Sequence, residues 1–267
     1  MIQENQNGVL HMVRTGPRGN IPVIFVHPVG LDLTYWGHQI EALNNLYDLV
    51  AYDLPGNGNS PGTPADWTFD ATTIMLARIL DFVGADRAHI VGISIGGMIA
   101  QSFALTYPKL VHSLVLIGTA STFEEQERRT ARERAANARR HGMAGIVQPT
   151  LERWFMDNTF VERPDIIDRV TKSMMADKPF IYAAMWDMIA EMDFVFRLNE
   201  ITCPTLIMTG EKDPICPPSA ARVIHDHIRG SKLVVIPDAA HMCILEQPSF
   251  INEQITKFLA EAINQTV

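Results

Sequence analysis

Apolar residues gather along this chain in short, nearly continuous runs, and stretches of helical spacing separate them. Residues 21–27 (IPVIFVH), 49–53 (LVAYD), 87–92 (RAHIVG), 114–118 (LVLIG), 204–210 (PTLIMTG) and 233–237 (LVVIP) have no polar alternation. That is the signature of strands covered on both faces, as in a parallel sheet. An earlier strand is expected over residues 9–14, closed by a turn at 15–20 (TGPRGN). Residues 71–82 and 248–262 read as amphipathic helices, and 96–105 as a helix ending near Tyr107-Pro108. Strand and helix in alternation predict an α/β fold with a mostly parallel central sheet flanked by helices.

The texture changes between residues 121 and 197. Residues 124–140 (EEQERRTARERAANARR) form a charged, alanine-rich helical stretch; residues 151–155 and 182–189 also read as helical. No strand-like run interrupts them. The expected organisation is a core of residues 1–120 and 198–267, with residues 121–197 inserted as a helical cap, or lid. The acidic and basic residues of 124–140 interleave, which suits a solvated face rather than a nucleic-acid surface.

Composition narrows the function classes. A length of 267 residues allows a large core, and the hydrophobic (47%) and charged (19%) fractions are those of a globular protein. A net charge of −8 argues against nucleic acid and anionic membranes as partners. No apolar run approaches the roughly 20 residues of a membrane span. Cys203, Cys216 and Cys243 make no C-x-x-C pair, and residues 1–8 lack the basic-then-apolar pattern of a signal peptide. A cytoplasmic protein is expected, with no cofactor, no metal and a small-molecule partner; homo-oligomerisation stays open.

One motif carries the chemistry. Gly92-Ile93-Ser94-Ile95-Gly96 has the G-x-S-x-G spacing of a nucleophile elbow, and it lies between a strand and a helix as such an elbow must. A serine hydroxyl is a weak nucleophile until a base takes its proton and an acid orients the base. On a sheet of this kind the acid and the histidine follow the serine in that order, from loops after later strands. Asp213 follows the run at 204–210, and His241 follows that at 233–237. Glu211, in the same loop as Asp213, is the alternative acid.

An oxyanion needs two backbone donors. Ile95, next after the nucleophile, supplies one. The loop after residues 21–27 supplies the other; Pro28 has no N–H, so Val29 is the candidate and His27 a brace for the loop. Residues 56–62 (GNGNSPG) lack the G-x-G-x-x-G spacing of a phosphate loop and read as a turn. His225 and His227 are two apart in a helical stretch and point to different faces, so they read as surface positions.

Taken together these residues resemble the α/β-hydrolase superfamily over nearly the whole chain. Within it the chain is most similar to the 3-oxoadipate enol-lactonase group, through Gly92–Met98 (GISIGGM), Glu152-Arg153-Trp154-Phe155, Cys203-Pro204-Thr205-Leu206 and Ala239-Ala240-His241. His27-Pro28-Val29-Gly30 departs from the H-G-x-G form common in the superfamily. The resemblance implies a serine hydrolase of small esters or lactones: attack by Ser94, proton transfer to His241, orientation by Asp213, and an acyl-enzyme released by water. It implies a substrate pocket under the cap, for which Trp154, Met185 and Trp186 are candidates, with Trp36 from the core; each serves packing equally well. Three other readings share the same residues: hydrolysis of a carbon–carbon bond in a vinylogous diketone, a cofactor-free perhydrolase or oxygenase, and a non-enzymatic ligand receptor.

Overall fold

The computed structural model describes residues 2–3 and 10–264. Among these, eight strands form one sheet: β1 (Ile2–Gln3), β2 (Met12–Thr15), β3 (Val23–Val26), β4 (Leu49–Tyr52), β5 (Ala88–Ile93), β6 (Val111–Ile117), β7 (Thr205–Gly210) and β8 (Lys232–Ile236). Their spatial order is β1-β2-β4-β3-β5-β6-β7-β8. The β1–β2 and β2–β4 pairs are antiparallel and every later pair is parallel. Every residue of β3, β4, β5, β6 and β7 is buried, which is why those segments carry no polar alternation. Each large aliphatic side chain so covered contributes about 1.5–3 kcal/mol. Helices α1 (Gly37–Leu43), α2 (Phe69–Val83) and α3 (Ile95–Thr106) lie between the early strands.

Two strands differ most from the expected limits, the others by one or two residues at an end. The first long strand is Met12–Thr15, not 9–14, and Val9 lies outside the described residues. Thr15 continues the strand because it pairs with Leu49 on β4, a tertiary contact that outweighs the local turn signal. Strand β6 begins at Val111, before its apolar run, because Ser113 faces His89 on β5 and accepts or donates a 2.7 Å hydrogen bond with His89 Nδ1.

Between β6 and β7 the described chain is helical: α4 (Glu125–His141), α5 (Ala144–Trp154), α6 (Asp157–Glu162), α7 (Pro164–Ala176) and α8 (Pro179–Ala190). Helix α4 buries only Ala131, Ala135 and Ala138, small residues that let it pack closely along α8. Most of its charges do face solvent, and Arg132 pairs with Glu125 and Glu191. Two arginines turn inward, contrary to a uniformly solvated face. Arg128 donates to the carbonyls of Phe123, Ala190 and Met192, satisfying backbone oxygens where the chain enters and leaves this helical segment, termed the cap below. Arg134 points into the cap interior, as described below. The entering and leaving segments also meet directly, through a bridge between Thr122 and Asp193 and a 2.7 Å bond from the Phe194 amide to the Ser121 carbonyl.

After β7 come α9 (Pro218–His227), β8, α10 (Cys243–Glu246) and α11 (Pro248–Asn264). His225 and His227 close α9 and are tied locally, to Ser231 and to the Val223 carbonyl. No helix among the described residues is long and apolar enough to cross a membrane.

Candidate active site

Strand β5 ends at Ile93 and α3 starts at Ile95, so Ser94 alone makes the turn between them. Its φ is 55° and ψ −121°, a conformation an L-residue enters at a cost of about 1–3 kcal/mol. Four hydrogen bonds hold it there. The Ser94 amide donates to the Ile117 carbonyl, and the Ser94 carbonyl accepts from Gly97, Met98 and the Thr119 hydroxyl. Two glycines make the turn sterically feasible. A Cβ on Gly92 would stand 2.3 Å from the Gly96 carbonyl oxygen, and one on Gly96 would stand 2.2 Å from the Val26 carbonyl oxygen. Val26 sits in the buried β3 and has no room to retreat. Gly96→Ala is therefore expected to cost at least about 2 kcal/mol, read as a lower urea midpoint at an unchanged m-value.

The loops after β7 and β8 converge on one another. His241 Nδ1 lies 2.8 Å from Asp213 Oδ2, and both residues are buried. The other carboxylate oxygen, Oδ1, accepts from the Ile215 and Cys216 amides at 2.8 and 3.0 Å. Burial pushes the Asp213 pKa up, but the charge and hydrogen bond of His241, with the two amides, outweigh it and hold the carboxyl below its ordinary value. An ionised Asp213 only accepts, so Nδ1 carries the imidazole proton and Nε2 keeps its lone pair. Glu211 instead lies beside Lys212, at 3.6 Å, on the surface.

Val29 follows β3 and Ile95 opens α3, where the first-turn amides and the helix dipole both favour negative charge. Neither amide has an acceptor among the described residues. His27 braces the loop between them: one ring nitrogen bonds the Pro28 carbonyl at 2.8 Å and the other accepts the Leu54 amide at 2.9 Å. With both nitrogens engaged and burial lowering its pKa, His27 stays neutral. Asp53, at the end of β4, accepts from the Leu33 and Asn59 amides and pairs with His11, so residues 54–62 form a tight turn around a carboxylate.

A cavity of about 120 Å³ lies between α4, α5, α8 and the Asp213 loop, with Arg134, Arg153, Trp186 and Ile215 in its wall. Arg134 bonds the Tyr182 hydroxyl at 2.8 Å and Thr150, and its guanidinium lies 4.8 Å from the Trp186 ring centre. No carboxylate pairs with it, and Arg153 has no hydrogen-bond or ion-pair partner at all among the described residues. Burial and the like charge of Arg134 pull the Arg153 pKa down, against the attraction of Asp213. The Trp186 indole N–H is also without an acceptor there.

Residues 21–248 match the family described as alpha/beta hydrolase fold. The chain belongs to the α/β-hydrolase family. It is 30% identical over 254 residues to 3-oxoadipate enol-lactonase 1 of Acinetobacter baylyi, a match that covers 93% of this chain and 92% of the relative. Among solved structures it is similar to a thermophilic esterase from Thermogutta terrifontis with malate bound, at 30% identity and a TM-score of 0.89 over 95% of this chain and 93% of that one. It is also similar to the enol-lactonase from Burkholderia xenovorans LB400, at 26% identity and a TM-score of 0.89 over 95% of this chain and 98% of that one. The resemblance to enol-lactonases read from the sequence is borne out by these relatives, and the protein is an enzyme of the hydrolase class.

This hydrolase distributes its candidate pocket residues unevenly. Trp186 lines the cap cavity. The Trp154 ring centre lies 6.1 Å from that of His241. Met185 is fully buried within α8. Trp36 is fully buried in the core, 4.9 Å from Phe25 between ring centres. The sequence reading did not single out Arg134, or assign Arg153 a role in the cavity. A charged helix with buried alanines does signal which of its faces is inward, and Arg134 lies three residues after Ala131 and four before Ala138 on α4.

Proposed function

We propose that this protein hydrolyses a small carboxylic ester or lactone bearing a carboxylate, through an acyl-enzyme on Ser94. The observation that carries the reading is the 2.8 Å pairing of His241 Nδ1 with Asp213, which leaves Nε2 to act as base. In this reading Ser94 attacks the carbonyl as His241 takes its proton, and the Val29 and Ile95 amides stabilise the oxyanion. His241 then protonates the leaving oxygen, and water repeats the sequence to free the acid. Two arginines without carboxylate partners, on one small cavity, support an anionic substrate. The malate-bound esterase of the same fold supports it too. Three free cysteines suit a reducing compartment, and we assign the protein to the cytoplasm.

The test is a panel of matched esters and lactones with and without a free carboxylate, together with a vinylogous diketone. Carboxylate-bearing members are expected to react with a kcat/KM about tenfold or more higher, and Arg153→Met to erase that preference, as loss of a charge-assisted hydrogen bond would. Cleavage of the diketone alone, or indifference to both the carboxylate and Arg153, would overturn the reading.

A further inference from the structure

The peptide amides on either side of His241 are both tied to the cap, one directly and one through Glu246. The Met242 amide, one residue after it, donates to the Trp154 carbonyl at 3.0 Å. The Ala240 amide, one residue before it, donates to Glu246 Oε2 at 2.7 Å. The other oxygen of that carboxylate, Oε1, accepts from the Met156 amide at 2.8 Å and from the Thr159 hydroxyl at 2.7 Å. Glu246 closes α10, so one side chain of the core joins the histidine loop to the start of α6 in the cap.

We propose that Glu246 is a positioning residue that couples the seating of cap segment 154–159 to the aim of the His241 imidazole. The chemistry of the carboxyl group fits the task. A carboxylate accepts only, and all three of its contacts are donors. Glutamine cannot replace it. Its Oε1 would keep the two cap donors, but its NH₂ would face the Ala240 N–H, donor against donor. The two anchors flank the imidazole at the shortest separation the chain allows, so a shift of the cap segment moves the backbone of His241 directly. Arg153 immediately precedes Trp154, so ligand contacts at the cavity bear on the same segment. Binding energy spent at the cap would in this way be converted into alignment of the base. The inference rests on His241 serving as the base for Ser94.

Glu246→Gln and the pair Thr159→Val and Thr159→Ser test it. Four readouts are needed: kcat and KM on the best ester of the panel, thermal midpoint, and the low-field proton resonance of the His241–Asp213 hydrogen bond. In Glu246→Gln, kcat is expected to fall about tenfold or more at nearly constant KM, with the low-field proton shifted or broadened. Thr159→Val should move both readouts in the same direction, and Thr159→Ser should restore them. The double variant Glu246→Gln/Thr159→Val should be no worse than Glu246→Gln alone, since both act through one carboxylate. An anchor that served stability alone would lower the thermal midpoint and leave kcat and the resonance unchanged; that result would overturn the proposal. If Glu246→Gln does not fold, the Thr159 pair decides by the same criteria. If Ser94→Ala retains activity, the serine-hydrolase reading fails, and the resonance alone then decides the coupling.

Discussion

Ser94→Ala should give a folded protein whose kcat on its best ester is about 10⁴- to 10⁶-fold lower than that of the parent. The size of the effect follows from what the hydroxyl does. On the proposed mechanism no acyl-enzyme would form without it, and only the oxyanion donors and substrate binding would continue to act. The fold should tolerate the change, because the bonds that hold position 94 use its amide and carbonyl and not its hydroxyl. KM should move little. A fluorophosphonate should label the parent at Ser94 and leave the variant unmodified. Turnover within tenfold of the parent by a folded variant would exclude Ser94 as the nucleophile.

Asp213→Asn should be almost as damaging, lowering kcat by about 10⁴-fold. Asparagine can keep one carbonyl oxygen on the Ile215 and Cys216 amides, so the loop should hold its shape. Its NH₂ would then face His241 Nδ1 as a donor and force the proton onto Nε2, removing the lone pair that the proposed mechanism requires there. The imidazolium that forms in the reaction would also lose its counter-charge. Kinetics across pH distinguish these effects from misfolding: a folded variant with wild-type thermal stability and a uniformly depressed kcat is the expected outcome. A Glu211→Gln variant should be near parental, since Glu211 lies beside Lys212 on the surface.

The parallel strands and the order of Ser94, Asp213 and His241 were legible because each has a local signature. Burial on both faces removes polar alternation from β3, β5 and β7, and an elbow needs its glycines at fixed offsets. Strand β1 carried no such signal, being two residues long. The start of β6 was hidden because His112 and Ser113 look polar in isolation and make sense only opposite His89. Helix α5 was seen only in its second half, since Pro149 interrupts the pattern although the helix runs through it. Helix α7 did carry a stripe, Ile166, Val170 and Met174 at four-residue spacing, that marks its inward face. Glu246 had no local mark. Its role depends on donors at 156, 159 and 240, which only the fold assembles.

The bridge between Thr122 and Asp193 has an evolutionary consequence. The two ends of the insert are already neighbours, since Thr122 and Asp193 pair outside the sheet. Exchanging it for an unrelated segment of different length would incur almost no loop-closure entropy and would leave the strand register untouched. On the proposed function, bond-breaking would lie in one module and selectivity in another that could be swapped. Recombination at this junction would then open new substrate ranges without re-evolving the proposed serine, acid and base.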